Sequence, residues 1–173
     1  MTPRILALDL SLTSTGYCAD GRCGRITTKL RGMERIEYIH DRIVDLSYQA
    51  DVAVVEGYSY GSKGRAVFQV AGLGEIVRYV LWLNGCPYVD VPPTTLKKYA
   101  TGRGNAGKDD MLAAAIRRFG FEGDGNDEAD AYLLWCMAMH AYGQRVVNLP
   151  AAQEAAIDKV EWPEVKGGVA VPA

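Results

Sequence analysis

"RILALDLSLTSTGYCADGRCGRITTKL", Arg4 to Leu30, is the stretch whose reading decides the fold. The apolar run Ile5–Leu10 has the composition of a buried central strand, hydrophobic on both faces. Thr-rich segments follow on either side of "ADGR", where Asp20-Gly21 is a tight-turn signal. Three consecutive antiparallel strands are the natural result. One residue breaks the apolar run: Asp9. A carboxylate there is costly unless it is paired or bound to a cation.

Working outward, Ile36, Ile39, Ile43, Val44 and Leu46 recur at helical spacing between charges, which predicts an amphipathic helix over Met33–Ala50. "DVAVVEGY" (Asp51–Tyr58) is a short buried strand ending at Glu56. A helical crossover between two strands favours parallel pairing of this strand with the first. "RAVFQVAGLGEIVRYVLWLNG" (Arg65–Gly85) is apolar on too many faces for a one-sided surface helix, so it is central to the core or shared between core and subunit interface. "CPYVDV" is a strand stopped by Pro92 and Pro93, and "TTLKKYA" a short helix capped by Thr94 or Thr95. "KDDMLAAAIRRFG" is a helix ended by Gly120, and "NDEADAYLLWCMAMHAYG" the last strong helix. The chain therefore reads as an α/β domain, a mixed sheet of three antiparallel strands then parallel ones, flanked by helices. Residues 1–145 make up this domain and 146–173 a C-terminal tail, partly mobile.

At 173 residues the chain has the length of one domain with a real core. No run of 18 apolar residues suggests a membrane helix, and Asp9 argues against a signal peptide at the N-terminus. Cys18, Cys23, Cys86 and Cys136 lack zinc-site spacing and are expected as reduced thiols of a cytoplasmic protein, although Cys18 and Cys23 could face each other across the hairpin. The net charge of −2 gives no general affinity for polyanions, but its distribution is uneven. Lys97, Lys98, Arg103, Lys108, Arg117 and Arg118 form a basic arm, and Glu122 to Asp130 is wholly acidic. That pattern suits a protein that holds a phosphate backbone while keeping carboxylates for metal.

In "GDGNDEADAYLLW" (Gly123–Trp135) the four acids exceed what helix capping needs. Asp127 and Asp130, three apart, share a helix face; Asp124 and Glu128 read as loop and helix-start charges. Asp9 and Glu56 both end strands, and open α/β sheets gather ligands at the carboxyl ends of parallel strands. Together the four make an oxygen-only donor set, which suits Mg²⁺ or Mn²⁺ rather than zinc. Two such ions about 4 Å apart serve phosphodiester hydrolysis.

Four stretches in order carry a family resemblance: "ILALDLSLTSTGY", "VVEGY", "LKKYATGRGNAGKDDM" and "NDEADAYLLW". The chain resembles RuvC-type Holliday junction resolvases, nucleases of the ribonuclease H-like fold, over roughly residues 4–142; its small size is reminiscent of phage-encoded members. The resemblance implies Asp9, Glu56, Asp127 and Asp130 as catalytic metal ligands for two Mg²⁺ ions (Mn²⁺ substituting), and Lys97 and Lys108 as the loop's basic residues, with Lys108 catalytic. It further implies a homodimer that nicks four-way DNA junctions symmetrically, with no membrane association. Lys98, Arg103 and Lys63 would add backbone contacts. The family's aromatic after the glutamate falls at Ser59, and the flanking Tyr58 and Tyr60 would take over base stacking.

Two other readings of motifs fail. "GRGNAGKD" (Gly102–Asp109) is nearly a P-loop, but Asp109 replaces the hydroxyl that should hold Mg²⁺. "DLSLTSTG" is similar to the first phosphate motif of actin-like ATPases, which need two such domains. A broader branched-DNA nuclease, an RNA-directed ribonuclease H-like enzyme and a noncatalytic DNA-binding module remain as alternatives; the last would be expected to lack at least one of the four carboxylates.

Overall fold

Strand propensity and the Asp20-Gly21 turn produce the hairpin that the sequence foretells. In the computed structural model, which describes residues 2–58 and 65–165, β1 (Ile5–Asp9), β2 (Thr15–Ala19) and β3 (Arg22–Ile26) form an antiparallel meander. Asp20 and Gly21 both take positive φ (48° and 79°), the geometry of a two-residue turn that matches strand twist. This turn sets Cys18 directly opposite Cys23, and the two are joined as a disulfide rather than held as the free thiols expected. Cys86 and Cys136 are buried free thiols.

Helix α1 (Gly32–Ser47) carries the chain over the sheet to β4 (Val52–Glu56), which pairs parallel with β1. Helix α2 (Arg65–Leu83) returns it to β5 (Tyr88–Val91), parallel to β4, and the sheet order is β3-β2-β1-β4-β5. This is the mixed sheet expected. Residues alternate faces along each strand. Leu6, Leu8, Ala53 and Val55 pack with Ile39 and Ile43 of α1 and Leu73, Val77 and Leu81 of α2. On the opposite face Ile5, Ala7, Val52 and Val54 pack with α3 (Pro93–Thr101), α4 (Lys108–Phe119) and α5 (Asn126–Ala141). Asp9 and Glu56 continue the odd and even series of that second face, so both aim toward α5.

Helix α2 divides its apolar residues as its composition implied. Leu73, Val77, Val80 and Leu81 are buried, whereas Phe68, Tyr79, Trp82 and Leu83 are exposed, with Tyr79 and Trp82 stacked at 6.0 Å between ring centroids. Helix α3 begins one residue before the threonines expected to cap it. Pro93 occupies its first turn, where a missing N–H costs nothing, and the Pro92 carbonyl accepts from Thr95 and Leu96 N–H.

Packing does not stop at residue 145. Within the segment expected as a partly mobile tail, α6 (Ala151–Glu154) and the 3₁₀ turn Ile157–Lys159 fold back on the core. Ala156, Ile157, Val160 and Val165 are buried there, Trp162 Nε1 donates to the Ile157 carbonyl at 3.0 Å, and Tyr142 Oη donates to the Pro163 carbonyl at 2.8 Å. Short turns with no helical or strand period hide this burial from pattern reading. The last residues of the predicted tail, 166–173, lie outside the described residues.

Removing everything after Arg145 should therefore destabilise the domain. Ile157, Val160 and Val165 each contribute about 2 kcal/mol by burial, so the truncated chain should melt roughly 12–24 °C lower in a thermal scan. A melting temperature equal to that of the full chain would show the segment to be dispensable.

Candidate active site

The site begins with strand register. Leu8 lies beside Val55 in the parallel pair, so the next residues, Asp9 and Glu56, finish their strands side by side. Two carboxyls in this position share a proton. Glu56 donates a hydrogen bond to Asp9, which holds Asp9 down while raising Glu56. Burial nevertheless dominates both. It pushes Glu56 up to about 9, with Asp9 and Asp130 adding and Lys97 opposing. It also raises Asp9, where the Asp127 charge adds and Lys108 opposes.

Helix α5 brings the second pair. It is buried nearly all round, so its position over the sheet is tightly set. Its first turn approaches β2 so closely that a Cβ on Gly16 would overlap the Asp127 carbonyl. Glycine at 16 is what lets Asp127 and Asp130 reach the ends of β1 and β4. Burial first, then Asp9, pushes Asp130 up to about 7, against Lys108 and Lys97; its Oδ1 is buried without a partner. Glu128 is instead engaged by Arg25 at 3.4 Å across to β3, and Asp124 is exposed.

A cleft of about 540 Å³ opens between these elements. Asp9, Glu56 and Asp130 line it together with Tyr58, Lys97 from α3 and Lys108 from the start of α4. Asp127 does not line it but is near enough to raise both Asp9 and Asp130. Among the described residues no three carboxylate, His or Cys side chains converge into a closed cation cage. The chemistry of the donors still fits a divalent cation, since an orphaned buried oxygen and two carboxyls holding protons well above their ordinary range are what a bound cation would relieve. Ligation would require the carboxyls to shed those protons and draw together.

Other expected residues fall elsewhere. Lys98 is half-buried on α3 and does not line the cleft, and Arg103 pairs with Asp110 at 3.0 Å. Tyr60 and Lys63 lie outside the described residues. Tyr58 is held rather than free: its hydroxyl donates to Glu75 Oε1 (2.8 Å) and accepts from Arg78 Nη1 (2.9 Å), and the Arg78 guanidinium lies 4.7 Å from its ring centre. Arg78 also pairs with Asp90 of β5 and lines the cleft wall, a role the sequence reading missed. An arginine inside "GEIVRYVLWL" was the available signal, because a charge in an apolar helix needs a partner.

No protein-family model matches the chain. Curated relatives do. A crossover junction endodeoxyribonuclease RuvC from one Synechococcus strain is 29% identical over 132 residues, covering 69% of this chain and 85% of that protein. RuvC from a second Synechococcus strain is 28% identical over 138 residues (69% and 86%), and that of Brachyspira hyodysenteriae 26% over 117 residues (66% and 72%). Among solved structures, Thermus thermophilus RuvC superposes with a TM-score of 0.64 at 16% identity, covering 81% of this chain and 96% of that one. T. thermophilus RuvC in complex with Holliday junction substrate gives 0.63 at 17% identity (75% and 88%). The fold is thus the ribonuclease H-like one, and the resemblance to RuvC-type resolvases read from the four motifs is borne out.

Two outcomes follow from the site's packing and charge. Gly16→Ala should push the first turn of α5 off the sheet, costing about 2–3 kcal/mol, and should weaken whatever affinity the cleft has for a divalent cation about tenfold in calorimetric titration. An unchanged melting temperature and affinity would refute the close approach. The second concerns pH. Asp130 and Glu56 have folded pKa values above their unfolded ones, so the stability they confer is complete below about pH 4 and is lost as pH rises through their raised values. In chelator the melting temperature should fall between about pH 5 and 9, and Asp130→Asn should flatten the lower half of that fall. A melting temperature that rises across this range would contradict the raised carboxyls.

Proposed function

We propose that the chain is a RuvC-type crossover junction endodeoxyribonuclease, a Mg²⁺-dependent enzyme that resolves four-way DNA junctions by paired symmetric nicks. The observation that carries this reading is that Asp9, Glu56 and Asp130 line one cleft with Lys97 and Lys108, with Asp127 near enough to act on Asp9. The curated relatives named RuvC support the enzyme class, and the T. thermophilus complex supports a branched DNA substrate. A DNA substrate also accords with work in the cytoplasm.

In this mechanism Asp9, Glu56, Asp127 and Asp130 would hold two Mg²⁺ ions. Bound there, such ions supply an activated water and neutralise the leaving oxygen of a phosphodiester. The chain's own groups do the rest. Lys97 and Lys108 hold the scissile phosphate against the carboxylates and offset the charge that develops on it. Carboxyls that carry protons in the free protein release them as cations bind, so cutting should strengthen as pH rises into the neutral range. Tyr58, fixed by Glu75 and Arg78, offers a rigid ring at the cleft for an unpaired base, with Tyr60 a second stacking residue. Lys98, Arg103 and Lys63 add contacts to the DNA backbone.

Two opposed cuts call for two-fold symmetry, and the exposed Phe68, Tyr79, Trp82 and Leu83 of α2 supply an apolar face for a homodimer. A wider preference for branched DNA is the second reading, favoured by Ser59 at the position where the family carries its aromatic.

The test is cleavage of labelled four-way junction, fork, duplex and RNA–DNA hybrid in Mg²⁺ or chelator. Symmetric nicking of the junction in Mg²⁺, with binding but no cutting in chelator, is expected. Asp127→Asn should lower the rate at least about 100-fold and Lys108→Ala about 10–100-fold. Cleavage confined to the hybrid would overturn the resolvase reading, and undiminished cutting by Asp127→Asn would overturn the assigned ligands.

A further inference from the structure

The basic half of the cleft comes from two short helices, α3 with Lys97 and α4 with Lys108, and neither is fixed by the sheet register that places Asp9 and Glu56. Core packing joins them, with the Tyr99 and Phe119 rings 5.5 Å apart, and a polar link from α6 is added to it. Gln153 of α6 is buried, 4% exposed, and satisfies both ends of its amide. Its Nε2 donates to the Tyr99 carbonyl of α3 at 2.6 Å, and its Oε1 accepts from Arg118 Nη1 of α4 at 2.7 Å. The same side chain packs 3.8 Å from the point where a Cβ on Gly102, the residue that ends α3, would stand. The neighbouring Glu154 lies 3.8 Å from His140 near the end of α5 and 3.6 Å from Arg145. One short helix thus touches the three helices that carry Lys97, Lys108 and Asp130.

We infer that Gln153 is a positioning residue, keying α3 to α4 so that Lys97 and Lys108 face the carboxylates together. The inference rests on the nuclease reading above for its effect on rate, though not for its effect on structure. Leverage explains why a distant contact matters. Arg118 stands about 15 Å along the α4 axis from Lys108, so a tilt of about 4° moves the lysine by about 1 Å, enough to cost up to 100-fold in a reaction that depends on position. On α3 the link is shorter: Tyr99 lies within one helical turn of Lys97, whose carbonyl accepts from Thr101 Oγ1 at 2.8 Å. A glutamine suits the task because it offers a donor and an acceptor on one rigid plane.

Gln153→Met keeps the volume and removes both hydrogen bonds; Arg118→Met removes only the α4 half. In Gln153→Met the amide resonances of Lys97 and Lys108 should both shift in ¹H–¹⁵N spectra, whereas in Arg118→Met that of Lys108 should shift and that of Lys97 should stay. Unshifted lysine resonances in a folded Gln153→Met protein would overturn the inference, whatever the protein cuts. In single-turnover junction cleavage with Mg²⁺, Gln153→Met should slow cutting about tenfold, with junction affinity in chelator changed less than about twofold. In a chain that also carries Lys97→Ala and Lys108→Ala, the same substitution should cost less than about twofold. An equal cost in both backgrounds would mean that Gln153 merely supports folding, and would overturn its positioning role. Failure of the wild-type protein to cut any junction would instead count against the resolvase reading, leaving the spectra to decide the positioning role.

Discussion

Parallel pairing of β1 with β4 in the register that sets Leu8 beside Val55 is the constraint on which the site depends. Once that register is fixed by the burial of Leu6, Leu8, Ala53 and Val55 on one face and Ile5, Ala7, Val52 and Val54 on the other, Asp9 and Glu56 have no choice of neighbour. A slip of one residue would turn every side chain of the slipped strand to the other face and aim its carboxyl at α1 and α2. Hydrophobic burial therefore holds two carboxyls together that repel each other, and the local answer is a shared proton. The molecule keeps an unfavourable electrostatic arrangement because the sheet that creates it is stabilised elsewhere.

The rest of the site is built around that arrangement. Helix α5 can add its acids only because β2 carries no side chain at Gly16, and only because the excess charge at its start is sorted. Glu128 turns to Arg25, whereas Asp130 stays buried with an unpartnered oxygen. Lys97 and Lys108 lower the electrostatic cost without removing it, as the still-raised Asp130 and Glu56 show. Glu56 keeps its proton at neutral pH and Asp130 keeps part of its own, so the free protein's cleft carries less negative charge than four acids imply.

Much of this was legible in the residues because polar breaks in apolar runs are informative. Asp9 in "ILALDL" and Glu56 in "VAVVEGY" stand out against strands that are buried on both faces, and the spacing of Asp127 and Asp130 needs only helix geometry. The meander, its turn and the two faces of α2 were readable for the same reason: each is a local pattern. What escaped reading was tertiary. Nothing near Gly16 announces that α5 will rest on it, because its partner Asp127 is more than a hundred residues away. Arg78 and Asp90 belong to different elements, and their pairing depends on how α2 crosses β5. Gln153 sits in a stretch without periodicity, so its burial could not be inferred from its neighbours.

The comparison of α5 with α6 shows how differently two helices can serve one cleft. Helix α5 is long, apolar on nearly every side and held by the sheet, so its acids are placed by packing that many side chains share. Helix α6 has a single turn, and its influence passes through one amide with a bond to each of two other helices. Packing of the first kind tolerates small changes at single positions, because the load is distributed. A hydrogen-bonded bridge of the second kind does not, since removing it leaves the buried Tyr99 carbonyl without its donor and unlinks Arg118 from α3 at once. The carboxylate half of the cleft is consequently placed by the core alone, whereas the lysine half adds a few polar contacts to the core packing of Leu96, Tyr99, Met111 and Ala115.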